Sequence, residues 1–187
     1  MDRDKILIVI PDLQLGGGAQ RIAAEVGSNL NKRDYEVTFF TVYDEDNTYE
    51  YDGEYITLDR PRSSLPLGFS LNILRAGRRI ARICKERNID TVISFMMMGN
   101  LGAVLSRVLF RNKAKVVVSV RNNPLKSDKK SRWQKKMLYG KADKVVALSE
   151  GVEHILKKDF SLSNTTYIHN IQDIEKFNKL AEKEVKE

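Results

Sequence analysis

A chain of 187 residues, 42% hydrophobic and 30% charged, has the size and composition of one well-packed domain. It holds no apolar run approaching the roughly 18 residues of a bilayer span, and its one cysteine, Cys84, excludes an internal disulfide. The net charge of +7 is unevenly spread, with residues 44–59 acidic and residues 60–88 and 111–144 strongly basic; such basic stretches suit nucleic acid, acidic lipid headgroups or a phosphorylated substrate, or form a solvated lysine-rich surface.

In chain order, KILIVIP (5–11), EVTFFTVY (36–43), a weak YITL (55–58), DTVISF (90–95), KVVVSV (115–120), KVVALS (144–149) and TTYIHN (165–170) read as strands. They are apolar almost throughout, as strands buried on both faces are. The first is too short for a signal sequence, which points to the cytoplasm. Helical patterns fall between them at 19–33, 70–87, 100–110, 130–140 and 150–158. Repeated β-α-β units of this kind predict an α/β, Rossmann-like parallel sheet with helices on both faces. Within 70–87, Leu71, Leu74, Gly77, Ile80, Ala81 and Cys84 recur at helical spacing opposite Arg75, Arg78, Arg79, Arg82 and Lys85, so Cys84 reads as a small core residue. From Asp173 the chain is charged and helical, with Ile174, Phe177, Leu180 and Ala181 to pack. The division expected is a domain over 1–172 and a connector or capping helix over 173–187.

In a parallel sheet the loops after the strands gather at one edge, where ligands bind. Here those loops are DLQLGGGAQR, MMMGN, RNNP, SEG and NIQD. The glycine run Gly16-Gly17-Gly18 is displaced from its strand, and Arg21 occupies the place of the third glycine of a dinucleotide fingerprint. No Gly-Lys-Ser/Thr follows, which excludes a Walker loop. Two readings remain: a turn, or a loop whose backbone approaches a ligand before a helix N-terminus that favours anions. The candidate binding residues are Gly16, Gly17, Gly18, Arg21, Arg121, Asn122, Asn123, Ser149 and Asn170. Arg121 offers paired donors to an anionic or hydroxyl-rich group, or bonds strand-end carbonyls. Met96, Met97 and Met98 are adaptable core or line a path for an isoprenoid chain. KKSRWQKKMLYGK (129–141) sets Trp133 and Tyr139 among lysines, a composition suited to an anionic bilayer surface. His154 falls inside a helix and His169 at a strand end. Neither has metal-ligand spacing, so no metal or cofactor is expected, and no catalytic residue is assigned.

GGGAQRIAAEVGSNLNKRDYEVTFFT resembles the first β-α-β unit of family 4 glycosyltransferases of the GT-B fold, whose usual pattern is Gly-Gly-Ala-Glu-Arg before the helix. KVVVSVRNNP, ADKVVALSEGVEHIL and YIHNIQDIEKF look like later segments of the same N-terminal domain, in the same order. Gln20 stands where the family usually has glutamate, and Arg121 stands near the position where many members carry a histidine. The resemblance implies one half of a GT-B fold: the acceptor-binding half of a retaining glycosyltransferase acting in polysaccharide or glycoconjugate biosynthesis. The implied partners are a nucleotide-sugar donor and a glycan acceptor; the methionines and basic helices favour a lipid-linked acceptor and an anionic membrane surface at the inner face of the membrane. The donor-gripping half carries a Glu-x7-Glu motif, and no two glutamates here have that spacing, so this chain alone is expected to be catalytically incomplete. The competing readings are an NAD-type cofactor domain and a basic nucleic-acid-binding module. Aromatics at 8%, not interleaved along a strand surface, provide no stacking platform, so nucleic acid is not the expected partner.

Overall fold

The computed structural model describes residues 3–62 and 66–170; the connector expected over 173–187 lies outside them. The elements are β1 (Lys5–Ile10), α1 (Gly18–Asn31), β2 (Glu36–Thr41), β3 (Glu54–Thr57), α2 (Pro66–Arg87), β4 (Thr91–Phe95), α3 (Met96–Val108), β5 (Lys115–Val120), α4 (Lys129–Leu138), β6 (Lys144–Ala147), α5 (Glu150–Phe160) and β7 (Thr165–Tyr167). The seven strands form one parallel sheet in the order β3-β2-β1-β4-β5-β6-β7. The chain steps outward from β1 to β3 and returns through α2 to β4 on the far side of β1. Strand order therefore reverses between β1 and β4, and at such a point the loops beyond the carboxyl ends splay apart into a crevice.

Alternation along β1 explains its central place. Leu7 and Val9 pack into the larger core with residues of α2, α3 and α5, while Ile6, Ile8 and Ile10 pack into a second core with Ile22, Ala23 and Ala24 of α1. Both faces carry helices, as the apolar strands predict, but unequally: among the described residues α1 alone supplies the helix of the second core. Beside it a groove of about 260 Å³ is lined by Ile22, Val26, Ile93, Val117 and Val146.

Two local expectations are corrected. The inward face of α2 is Ile73, Ala76, Gly77, Ile80, Ile83 and Cys84, whereas Leu71 and Leu74 are 40% and 41% exposed. The buried stripe is thus rotated by roughly the 100° of one residue. The cause is close packing of α2 on α3: a Cβ at Gly77 would lie 3.2 Å from the carbonyl oxygen of Gly102. That approach seats small residues at the contact and turns the leucines outward. Helix α3 also begins four residues earlier than periodicity suggests, directly at the end of β4. Met96 takes a left-handed φ of 61° to make the junction without a loop.

Cys84 sits in the core as the spacing implies, and burial pushes its thiol up to about 12. Only the thiolate attacks disulfide reagents. Ellman's reagent at pH 8 is therefore expected to label the native chain at least about a hundredfold more slowly than the urea-unfolded chain. Equal rates would show that the α2–α3 layer opens readily.

Candidate functional site

The glycine loop is held from below by a buried carboxylate. Asp12, 3% exposed just past β1, accepts hydrogen bonds from the backbone of Gln14 (3.2 Å), from the Gln20 amide (3.1 Å) and from Arg62 (3.0 Å). Arg62 in turn donates to Glu45 at 2.6 Å and lies 4.7 Å above the Tyr43 ring. The acidic stretch also straps the loop from the side: Leu15 N–H donates to Asn47, Tyr49 N–H to Leu13, and Gly16 N–H to the Tyr49 hydroxyl. That segment is a clamp rather than a free charged surface. Of the three glycines, Gly16 requires its residue type for conformation, with a φ of +99°. Gly17 is the N-cap of α1 and brings no side-chain cap, so among the described residues the first-turn N–H groups have no side-chain acceptor, and they carry the positive end of the helix dipole.

Across the crevice, β4 runs directly into α3 and β5 ends at Val120-Arg121. Asn100, 2% exposed, donates through its amide nitrogen to the Ser119 carbonyl (3.0 Å) and to the Tyr139 hydroxyl (3.2 Å), while its Oδ1 has no partner among the described residues. Burial pushes the Tyr139 phenol up to about 12, with the Asn100 bond opposing in part, so the hydroxyl keeps its proton at neutral pH. In α4, Asp128 accepts from Ser131 N–H (3.0 Å) and Ser131 Oγ (2.6 Å), and Lys135, 4% exposed, donates to Ser127 Oγ.

These walls enclose a cleft of about 520 Å³, lined by Gly18, Ala19, Arg21, Ile22, Met96, Met97, Asn100, Ser119, Val120, Arg121, Asn122, Lys135, Tyr139 and Asn170. Gly18, Arg21, Arg121, Asn122 and Asn170, candidates from the sequence, therefore meet in one place. Gly16 and Gly17 belong to the loop that leads into it. Asn123 and Ser149 are not among the lining residues, and their side chains accept from Leu125 N–H (2.9 Å) and Val152 N–H (3.4 Å) as local caps. His169 is exposed, packs edge-on against Tyr167 and lines the apolar groove rather than the cleft. His154 is exposed on α5.

Tyr139 corrects the sequence reading most directly. It is 1% exposed and belongs to the core, whereas Trp133 is 64% exposed. Lys135 and Asn100 escaped sequence analysis because neither residue type announces burial. The one available signal was spacing: Ser131, Lys135 and Leu138 fall at helical intervals on a face that turns inward.

With this geometry established, the comparisons become decisive. The model of Glycosyltransferase Family 4 matches residues 16–176. The chain belongs to glycosyltransferase family 4. It is 29% identical over 178 residues to the amylovoran biosynthesis glycosyltransferase AmsD of Erwinia amylovora, covering 94% of this chain and 48% of that protein. Its fold resembles sucrose-phosphate synthase from Thermosynechococcus elongatus (TM-score 0.73, 14% identity, 92% of this chain and 49% of that one). It also resembles HepE of Anabaena in complex with UDP and glucose (TM-score 0.63, 13% identity, 92% and 46%). The chain thus spans about half the length of the relatives it matches, and its fold is that of one half of a GT-B chain.

Within this family 4 half, the departure at Gln20 has a local explanation. Its amide donates to Asp12 Oδ1, a bond a glutamate could not make without meeting a second carboxylate.

Proposed function

We propose that the cleft is the acceptor-side half of a sugar-transfer site, completed by a second Rossmann-like half that holds a nucleotide-sugar donor. The observation that carries this reading is convergence: the segments that follow β1, β4, β5 and β7 supply polar groups to one cleft beside the N-terminus of α1, whose N-cap Gly17 brings no side-chain cap. Among the described residues the lining holds Arg21, Arg121, Lys135, Asn100 and Asn122 but no carboxylate. That set does not match glycoside hydrolysis, which needs two carboxyl groups flanking the bond. It suits transfer with retention, in which the donor's own phosphate accepts the acceptor proton and the protein orients substrates and stabilises charge. Gly18 and Ala19 would present backbone N–H groups to the departing phosphate, and Arg121 and Asn122 would hold the acceptor. The UDP and glucose bound in HepE support a nucleotide-sugar donor. The name of AmsD supports a role in polysaccharide or glycoconjugate biosynthesis.

A lipid-linked acceptor met at the inner face of the cytoplasmic membrane fits the surface. Leu67, Leu71 and Leu74 make an exposed stripe on α2 beside Arg75 and Arg78, and Trp133 and Met137 stand on α4 among Lys129, Lys130, Arg132 and Lys136. Apolar residues flanked by cations favour anionic headgroups. Among the described residues no helix is long and apolar enough to cross a membrane.

The chain alone is expected to turn over no UDP-sugar, and transfer is expected once it is joined to a donor-binding half; robust turnover by the chain alone would overturn the half-site reading. Trp133 is the sole tryptophan, so its emission reports membrane contact. A blue shift is expected with vesicles containing anionic phospholipid and little change with neutral ones, whereas equal shifts would remove the electrostatic part of the proposal.

A further inference from the structure

Lys135 is a buried cation that forms no ion pair among the described residues. Its ammonium donates to Ser127 Oγ, and among the described residues no carboxylate lies within ion-pair distance of it. Asp128, about two turns earlier at the N-cap of α4, bonds Ser131 through both oxygens. Charged side chains are buried at a cost that a partner normally offsets. Arg121, on the same cleft, has neither a hydrogen-bond nor an ion-pair partner among the described residues. The third cation, Arg21, is already paired with Glu25 at 2.9 Å. Beside these cations the cleft offers Asn100 Oδ1, a buried acceptor with no donor, and the Tyr139 hydroxyl, which keeps its own proton.

We propose that the β5–α4 side of the cleft is a phosphate-binding subsite in which Arg121 and Lys135 together take the anionic group of a phosphorylated substrate. This rests on reading the cleft as a substrate site. A planar guanidinium fork and a compact ammonium, both lacking carboxylate partners, match the several oxygens and the double charge of a phosphate. Asn100 Oδ1 then accepts from a hydroxyl of the same ligand, so a hydroxylated phosphate ester satisfies both halves of the arrangement. Burial pulls the protonation ranges of both cations downward, with Asp128 opposing it in part at Lys135, and a bound anion reverses that trend.

The phosphate could come from the diphosphate of a nucleotide donor or from a phosphorylated acceptor, and titration of the 187-residue chain separates the two. Calorimetry at low ionic strength with inorganic phosphate, UDP and glucose 1-phosphate is expected to show saturable binding. Arg121→Met and Lys135→Met should each weaken it at least tenfold, and Lys158→Met, an exposed site on α5, should not. Tighter binding of UDP assigns the subsite to the donor; tighter binding of the sugar phosphate assigns it to the acceptor. Lys135→Met replaces a buried charge by an apolar chain of similar length and is expected to melt at or above the wild-type temperature; if it does not fold, Lys135→Gln serves. Absence of saturable binding, or binding unchanged in both variants, overturns the proposal. Arg121- and Lys135-dependent binding in a chain that transfers no sugar when joined to a donor half would leave the subsite standing and refute the glycosyl-transfer reading instead.

Discussion

Replacing Arg121 by alanine is expected to lower kcat/KM for sugar transfer by about ten- to a hundredfold in an enzyme that joins this chain to its donor half, while the melting temperature barely moves. The two effects separate because Arg121 has no protein partner among the described residues, and burial alone draws its protonation range downward. Folding gains nothing from the side chain, so its removal costs folding little. Substrate binding stands to lose a charge-assisted interaction worth about 1.5–3 kcal/mol in all, and every 1.36 kcal/mol is about tenfold in rate. Arg121→Lys keeps the charge but not the fork and should fall between the two. A structural arginine would give the opposite pattern, with kinetics preserved and the melt lowered, and that result would take Arg121 out of the site. Assay across salt adds a second check, since a contact to an anionic substrate makes KM rise with ionic strength in the wild type and less so in the variant.

What could be read beforehand depended on how far local pattern determines position. The strands were legible because burial on both faces leaves an unbroken apolar run, and KVVVSV fell on β5 without adjustment. The edge of the sheet that carries the cleft followed from β-α-β order alone. The facing of α2 did not follow. Leu71 and Leu74 obey helical spacing as well as Ile73 and Ile83 do, Gly77 and Ile80 being common to both stripes, and the close packing of α2 on α3 at Gly77 and Gly102 accompanies the outward turn of the leucines. Tyr139 and Lys135 failed for a related reason: set among lysines they read as surface, and their burial is decided by how the end of α4 docks against Asn100 of α3. The role of the acidic stretch was hidden too, because its work is done by backbone groups of Asn47 and Tyr49 that composition does not reveal.

Asp12 was likewise invisible in the sequence, and it makes Gln20→Glu the sharper test of how the glycine loop is held. The substitution restores the residue usual in the family, yet here it is expected to cost about 1–2 kcal/mol at pH 7, because it trades a hydrogen bond to a charged acceptor for a second carboxylate beside a buried one. Arg62 cannot absorb the added charge, since it already contacts both Asp12 and Glu45. In the folded variant the introduced glutamate, facing a second carboxylate, holds a proton more tightly than it does in the unfolded chain. The folded state therefore binds more protons, and the deficit relative to wild type is largest near pH 7 and shrinks as pH falls toward about 5. Asp12→Asn in the Gln20→Glu background removes one of the two charges and should recover most of the loss, a non-additivity that a double-mutant cycle by urea unfolding reads directly. Equal stability of Gln20→Glu and wild type at pH 7, with the same slope on acidification, would mean that Asp12 does not govern the loop. Recovery by Asp12→Asn would instead tie the position of α1's N-terminus, and with it the donors it presents to the cleft, to one buried carboxylate at the end of β1.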